Sequence, residues 1–212
     1  MALSEALSWL YPSRCGLCDL ASPSGLCKTC RSEFLPGPGW SLRQAQALDE
    51  VQVLFDHLGR ARQAVLALKF HRITSLGRPL SDLLASAAFA PTRGPWDAVI
   101  PVPIHWRRQW SRGFNQSMLL ASAFPKSLVK TDWLVRIRHT RAQVGLTLEE
   151  RTQNLIGAFV ATPAARRKRI LLLDDVLTSG STAEECAKAL KAVGADLVSV
   201  LTLTGGQLRR GD

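Results

Sequence analysis

The chain has 212 residues, of which 46% are hydrophobic and 21% charged, so it can bury a core and does not have the composition of a disordered protein. Its 27 basic and 17 acidic residues give a formal net charge of +10. No apolar run approaches the roughly 20 residues of a membrane span, and the N-terminal residues lack the basic start of a secretory signal. The sequence therefore predicts a cytoplasmic globular protein without membrane insertion.

The positive charge is concentrated in the middle of the chain. Residues 1–50 carry a net charge of −1, residues 51–170 carry +13, and residues 171–212 carry −2. A segment this basic attracts polyanions such as nucleic acid, a nucleotide or a pyrophosphate-bearing metabolite. Solubility is the alternative explanation, and charge alone does not distinguish among these partners.

Four cysteines near the N-terminus have the spacing C-x2-C-x8-C-x2-C. In a chain without an export signal disulfides are disfavoured, and paired C-x2-C units are typical of metal sites. Four thiolates close the tetrahedral shell of zinc and leave no position for water, which predicts a structural zinc ion. A rubredoxin-like iron or an iron–sulfur cluster could use the same ligands and stays an alternative. The predicted ligands are Cys15, Cys18, Cys27 and Cys30.

A turn-rich segment containing two Pro-Gly pairs, residues 35–39, follows the cysteines. Such a segment favours a boundary between structural units. We therefore predict a zinc-knuckle module in residues 1–40 and a larger domain in residues 45–212.

The larger part alternates strand and helix patterns. Strands alternating with helices predict an α/β fold, in which a parallel sheet is covered by helices on both faces. In chain order we expect a strand at 51–55, helices at 62–70 and 79–88, a strand at 96–102, a helix at 115–124, a strand at 133–137, a helix at 148–154, strands at 158–161 and 169–173, a helix at 182–193 and a strand at 197–203.

Residues 169–194 form the most informative segment. A buried strand ends in Asp174 and Asp175, a loop covers residues 176–181, and a helix follows, with Ser181 and Glu184 at capping-box spacing. Hydroxyls and backbone amides at a helix N-terminus suit a phosphate monoester, whereas the two carboxylates suit sugar hydroxyls or Mg²⁺-bound water. Together they indicate a phosphorylated ribose. The predicted phosphate-binding residues are Thr178, Ser179, Gly180, Ser181 and Thr182.

The run LLLDDVLTSGST resembles the phosphoribosyl pyrophosphate (PRPP) signature of type I phosphoribosyltransferases. The resemblance implies the fold of that class, a Rossmann-like parallel sheet flanked by helices. It also implies that Asp174 and Asp175 contact the ribose hydroxyls in the catalytic site, that residues 178–182 hold the 5′-phosphate, and that Mg²⁺ binds together with PRPP.

Further motifs narrow the resemblance to a single family. They are the four cysteines, Leu-Lys-Phe at 68–70, Val-Ile-Pro-Val-Pro at 99–103, Arg-Gly-Phe-Asn-Gln at 112–116, and an Arg…Thr…Gln…Glu-Arg…Asn pattern over 136–154. On these motifs, which span residues 11–205, the chain is identified as a member of the ComF (late-competence, GntX-like) family. The resemblance implies a role in DNA uptake and natural transformation, with a competence helicase or a recombination mediator as a possible partner.

Three arginines follow the Pro-Val-Pro segment, where the phosphoribosyltransferase fold has its pyrophosphate-binding loop. Guanidinium groups suit multidentate phosphate contacts, and a solvated surface cluster is the alternative. Aromatic residues interleave with these cations, a pattern that suits stacking of the bases of single-stranded DNA. The predicted pyrophosphate contacts are Arg107, Arg108 and Arg112.

Two further interpretations concern single segments. Residues 138–151 occupy the position of the mobile lid of the family, with an ordinary solvated hairpin as the alternative. Cys186 lies on the apolar stripe of a predicted helix and is expected to be a buried small side chain, not a nucleophile.

We therefore expect a ComF-type protein that handles incoming single-stranded DNA and carries a PRPP–Mg²⁺ site. Two alternatives stay open: an active phosphoribosyltransferase that transfers phosphoribose to a nucleobase-like acceptor, and a sensor that binds PRPP without turnover. A fold does not by itself establish catalysis.

Overall fold

The computed structural model describes residues 13–37, 46–90, 94–105, 110, 113–140 and 147–206, apart from the side chains of residues 148 and 151. Among these residues, no helix is long and apolar enough to cross a bilayer. In chain order the elements are α1 (Lys28–Ser32), β1 (Glu50–Asp56), α2 (Gly59–Phe70), a 3-10 turn (Thr74–Leu76), α3 (Gly77–Ala88), β2 (Ala98–Pro101), α4 (Gln116–Leu119), β3 (Leu134–Arg136), α5 (Leu148–Leu155), β4 (Phe159–Ala161), a second 3-10 turn (Pro163–Ala165), β5 (Arg169–Leu177), α6 (Ser181–Ala192) and β6 (Leu197–Gly205).

The central sheet consists of four parallel strands in the order β1-β6-β5-β2. Side chains of β5 alternate between the two faces, so Leu171 and Leu173 pack into one core cluster with α2 and α3. Ile170 and Leu172 pack into a second cluster, with α6. Because both faces are covered, the apolar run of β5 is fully enclosed, and the predicted α/β fold with a parallel sheet is confirmed.

Strands β3 and β4 form a separate antiparallel pair, with Leu134 opposite Ala161. These strands do not join the parallel sheet, contrary to the alternation of strands and helices in the sequence. Each has only three residues and one buried face, and the opposite face leaves Val135 and Val160 at 40% and 45% exposure. Strands of a doubly covered parallel sheet are apolar on both faces, whereas these suit an antiparallel pair with one exposed face.

The cysteine segment packs directly against the helices of the larger part. Cys15, Cys30 and Phe34 belong to the same buried cluster as α2 and α3. The contact is close at Gly25, where a Cβ atom would lie 2.6 Å from the carbonyl oxygen of Ser75. The segment is therefore anchored on the α/β core, and the predicted division between residues 40 and 45 stays a prediction.

Candidate functional site

The four predicted metal ligands converge. Their Sγ atoms all lie within 4.8 Å of one another, and those of Cys18 and Cys27 are 3.6 Å apart. A tetrahedral zinc ion with Zn–S distances near 2.3 Å would place its sulfurs about 3.8 Å apart. The cluster therefore has a donor set and a spacing that could bind zinc.

Backbone hydrogen bonds orient this cluster. The amide of Gly16 donates to the carbonyl of Gly25, and Cys27 caps α1 by accepting from the amide of Cys30. Burial acts to raise the pKa of Cys15, but backbone hydrogen bonds from Cys27, Leu17 and Cys18 outweigh it and lower the pKa to about 6. The lowered pKa favours the thiolate form of Cys15, which is the form that binds metals.

A second cluster lies near the carboxyl end of β5. Asp174 and Asp175, the acidic pair, contact different side chains there. Asp174 Oδ1 accepts hydrogen bonds from Ser117 Oγ at 3.2 Å and from the amide of Asp175 at 2.9 Å. The buried Asp175 carboxylate forms an ion pair with Lys69, with 2.8 Å between Oδ1 and Nζ. The site therefore joins α2, α4 and β5.

Sequence reasoning missed two members of this cluster, Lys69 and Ser117. A signal for each was present, since Lys69 is the middle of the Leu-Lys-Phe motif and Ser117 directly follows Arg-Gly-Phe-Asn-Gln. The motif residue Asn115 explains how Ser117 is placed. Asn115 is the N-cap of α4, and its Oδ1 accepts a hydrogen bond from the amide of Ser117. Its Nδ2 donates to the carbonyl of Val102.

A half-buried histidine, His57, lies on the other side of Asp175. His57 Nδ1 lies 2.8 Å from Thr204 Oγ1, and that hydroxyl donates to the carbonyl oxygen of Asp175. Burial lowers the pKa of His57, and the nearby cations Lys69 and Arg62 lower it further. His57 is therefore a neutral side chain that helps to hold the end of β5.

The environment of Asp174 changes its acidity. Burial is the main cause that raises the pKa of this carboxyl to about 7, repulsion from Asp175 adds to it, and Lys69 opposes it. An acid whose pKa is higher in the folded protein than in the unfolded chain stays protonated to a higher pH when the protein is folded. Its ionisation therefore opposes folding, and the free energy of unfolding falls as pH rises.

We expect Asp174→Asn to stabilise the protein at about pH 8, by about 2 kcal/mol, because one pKa unit corresponds to ~1.4 kcal/mol and partial solvent access reduces the effect. The difference should shrink steadily toward acid pH, where Asp174 is neutral in both states. Urea unfolding of both proteins across this range measures it. Asp132→Asn, at an exposed position, controls for loss of one negative charge. A variant less stable than wild type at about pH 8 would contradict this assignment.

The predicted phosphate-binding residues lie in one short turn and in the first turn of the helix that follows it. β5 continues to Leu177 because its last residues pair with Thr204 and Gly205 of β6, so the predicted loop over 176–181 shrinks to residues 178–180. Ser179 Oγ lies 3.0 Å from Ser181 Oγ. Thr178, Ser179 and Gly180 lead directly into a twelve-residue helix, whose amide end favours anions.

The predicted capping box at the start of this helix is wrong. Gly180, at a φ of +77°, is the N-cap and has no side chain that could cap the helix. Ser181 is therefore already the first helical residue, and Glu184 points elsewhere: its Oε1 accepts from the amides of Gln46 and Ala47. The short turn explains the error, because it places the helix start one residue earlier than the spacing assumed.

The predicted lid lies partly within the described residues. Its last part begins α5 with a capping box between Thr147 and Glu150. On the same helix, Thr152 Oγ1 lies 3.3 Å from Ser181 Oγ, so α5 touches the phosphate-binding turn. Cys186 is fully buried, as expected, and burial raises its pKa well above the usual value.

The predicted pyrophosphate contacts follow the Pro-Val-Pro segment at the end of β2. Trp110, between them in the sequence, is 86% exposed. The Pro-Val-Pro segment before them starts beside the acidic pair, since the amide of Val102 donates to the carbonyl of Leu173. Arg107, Arg108 and Arg112 lie outside the described residues, as do residues 141–146 of the lid.

The chain is similar in sequence to competence and DNA utilization proteins. The chain is 29% identical over 203 residues to competence protein F of Haemophilus influenzae, an overlap of 84% of this chain and 89% of the relative. It is 32% identical over 197 residues to DNA utilization protein YhgH of Salmonella typhimurium, an overlap of 90% and 82%. No protein-family model matches.

Among solved structures, the chain is similar to the glutamine PRPP amidotransferase of B. subtilis complexed with ADP and GMP. The TM-score is 0.40 and the identity 20%, over 61% of this chain and 26% of that one.

The parallel sheet, the acidic pair near the end of its strand β5 and the hydroxyl-rich turn before α6 define an α/β protein with an N-terminal four-cysteine cluster. Within this class the chain belongs to the ComF family, together with competence protein F and the YhgH proteins.

Proposed function

We propose that this protein handles incoming single-stranded DNA during DNA uptake, and that its phosphoribosyltransferase-like site binds PRPP with Mg²⁺. The observation that carries the second part is the junction of β5 and α6, where the acidic pair and the hydroxyl-rich turn are separated by two residues. Carboxylates and phosphate-binding amides at that spacing match a phosphorylated ribose.

Each part of this junction has a separate task. Asp174, oriented by Ser117, accepts hydrogen bonds from the ribose hydroxyls, while residues 178–182 donate to the 5′-phosphate. Arg107, Arg108 and Arg112 contact the pyrophosphate. When bound with PRPP, Mg²⁺ supplies positive charge to the pyrophosphate oxygens. The chain's own residues bind and orient the ligand, and Asp175 holds the site together through Lys69.

In this proposal the cysteine cluster holds zinc as a structural ion. Four sulfur donors leave no coordination position for a substrate, so the metal fastens the N-terminal segment onto the α/β core.

Two observations support the DNA part. The relatives are a competence protein and DNA utilization proteins, and the charge excess of this chain lies in residues 51–170. Trp110 is exposed and lies between Arg108 and Arg112 in the sequence, and an exposed indole in a basic segment suits base stacking next to a phosphate backbone.

Calorimetric titration with PRPP tests the site. We expect saturable binding that requires Mg²⁺, and about a hundredfold or greater loss of affinity in Asp174→Asn/Asp175→Asn, because each charge-assisted hydrogen bond contributes ~1.5–3 kcal/mol. Asp132→Asn serves as the matched control, an exposed aspartate outside the β5–α6 junction. Absence of binding at millimolar PRPP, with the fold intact, would exclude both the enzyme and the sensor.

The same protein samples test the DNA part. Affinity for an unstructured oligonucleotide should fall steeply with salt, with a slope of about −0.7 per phosphate contact for a single strand. Trp110→Ala should weaken binding while leaving this slope unchanged, because it removes stacking without removing a cation. A flat salt dependence would argue against a nucleic-acid role.

The two alternatives for the PRPP site differ in one product. An active phosphoribosyltransferase releases pyrophosphate when a nucleobase is added, whereas a sensor binds PRPP and releases none. A coupled pyrophosphate assay over a panel of bases separates them.

A further inference from the structure

Lys69 faces the acidic pair from the last turn of α2. Its ammonium is 2.8 Å from Asp175, and the two side chains are only 21% and 9% exposed. The surface pair Arg78–Asp82, by comparison, is 67% and 54% exposed. The Lys69–Asp175 pair is thus shielded from water, where electrostatic interactions are stronger than at the surface.

The position of the ammonium is set by rigid elements. The neighbouring Leu68 is fully buried in the core beside α2, which fixes the last turn of the helix. On the other side, Thr204 holds the backbone of Asp175. The backbones that carry both partners are therefore anchored in the core, and the ion pair joins two fixed elements of the site.

Two adjacent carboxylates without a counter-ion would attract a divalent cation, since carboxylate oxygens are the preferred ligands of Mg²⁺ and Mn²⁺. When both carboxylates are ionised, the ammonium of Lys69 beside one of them leaves the group with a single net negative charge. A divalent cation that approaches from solution is therefore attracted by half of the negative charge that two unpaired carboxylates would carry, and the ammonium repels it.

We propose that Lys69 is a resident counter-ion that keeps free divalent cations off Asp174 and Asp175, so that Mg²⁺ enters this site only together with the pyrophosphate of its ligand. Lys69 is a positioning residue for Asp175, and it sets the order in which metal and ligand arrive. This inference rests on the proposed PRPP site, but its central measurement does not use PRPP.

Mn²⁺ binding to the zinc-loaded protein without PRPP, followed by electron paramagnetic resonance, tests it. We expect Lys69→Gln to bind Mn²⁺ about tenfold or more tightly than wild type, because the ammonium no longer repels the ion. The glutamine amide can still donate a hydrogen bond to Asp175, which preserves the local fold. Adding Asp175→Asn to the variant should abolish the gain.

Two variants serve as controls. Lys69→Arg keeps the positive charge and should bind Mn²⁺ as weakly as wild type. Lys188→Met removes a different lysine that is paired with a buried acid, Glu185, at 2.7 Å, and should also show no gain. A Lys69→Gln protein that binds Mn²⁺ no better than wild type, or a wild type that already binds it as tightly, would overturn the proposal.

Folding of the variant gives a second readout. If Lys69→Gln is unfolded, millimolar Mn²⁺ should restore folding by replacing the ammonium beside Asp175, and a variant that Mn²⁺ does not rescue counts against the proposal. Failure of the PRPP site is distinguishable, because wild type would then bind no PRPP while the Mn²⁺ comparison stays readable.

Discussion

Replacing Cys30 with serine is expected to destabilise the zinc-loaded protein by about 4 kcal/mol or more. Structural zinc contributes ~10–16 kcal/mol of apparent binding free energy in small zinc domains, and a site that loses one thiolate binds the ion far more weakly. Cys30 is also 1% exposed and packs in the cluster shared with α2 and α3, so losing the metal loosens the core itself. Denaturant unfolding at saturating zinc measures the change.

The chain offers a matched control for this substitution. Cys186→Ser places the same hydroxyl at another fully buried position that is remote from the cluster in sequence, and should cost about 1–3 kcal/mol for the unpaired polar group. A strong chelator should lower the stability of wild type to that of Cys30→Ser and leave Cys30→Ser unchanged. Equal losses for the two serine variants would contradict a metal role.

The second large effect is expected at Gly25, where the cysteine segment meets the larger part. Gly25→Ala should destabilise the protein by about 3 kcal/mol, because two penalties act together. Gly25 has a φ of +78°, which costs a non-glycine residue ~1–2 kcal/mol, and its Cβ would lie 2.6 Å from the carbonyl oxygen of Ser75. Thermal and urea unfolding of zinc-loaded protein give the loss.

Gly157→Ala isolates the contact from the conformational penalty. Gly157 has a φ of +64°, but a Cβ there would meet no atom within 4 Å among the described residues. Its substitution should cost only ~1 kcal/mol. If both alanine variants lose the same stability, the contact with Ser75 contributes nothing, and the cysteine segment is held by other interactions.

The elements of the parallel sheet and its helices could be predicted well because their patterns are strong and local. The apolar run before Asp174 requires burial on both faces, and the observed strand differs only in its carboxyl end. The sequence placed that end too early because Asp174 and Asp175 interrupt the apolar pattern, while the hydrogen-bonded ladder to β6 continues through the backbone. Hydrogen bonding between strands does not depend on side-chain polarity, so composition cannot locate the last residue.

The candidate site was predicted where it is local in sequence and missed where it is not. Cys15 and Cys30 were found because metal ligation imposes short, recognisable spacings. The contact between Lys69 and Asp175 joins residues far apart in the chain, and no pattern within a segment encodes it. Glu184 shows the opposite error. Its spacing from Ser181 predicted a local capping box, but its carboxylate instead accepts hydrogen bonds from residues near β1, which are distant in sequence.

The order of the strands has a consequence for how the protein is made. β1 pairs in parallel with β6, and residues such as Gln52 and Thr202 that meet there are 150 positions apart in the chain. On the ribosome the cysteine segment emerges before β1 and can take up a metal early, whereas β1 cannot pair in the sheet until β6 has been synthesised. A nascent chain that stops before Leu197 therefore exposes the β6-facing side of β1 and the apolar side of α2, which favours misfolding until β6 emerges.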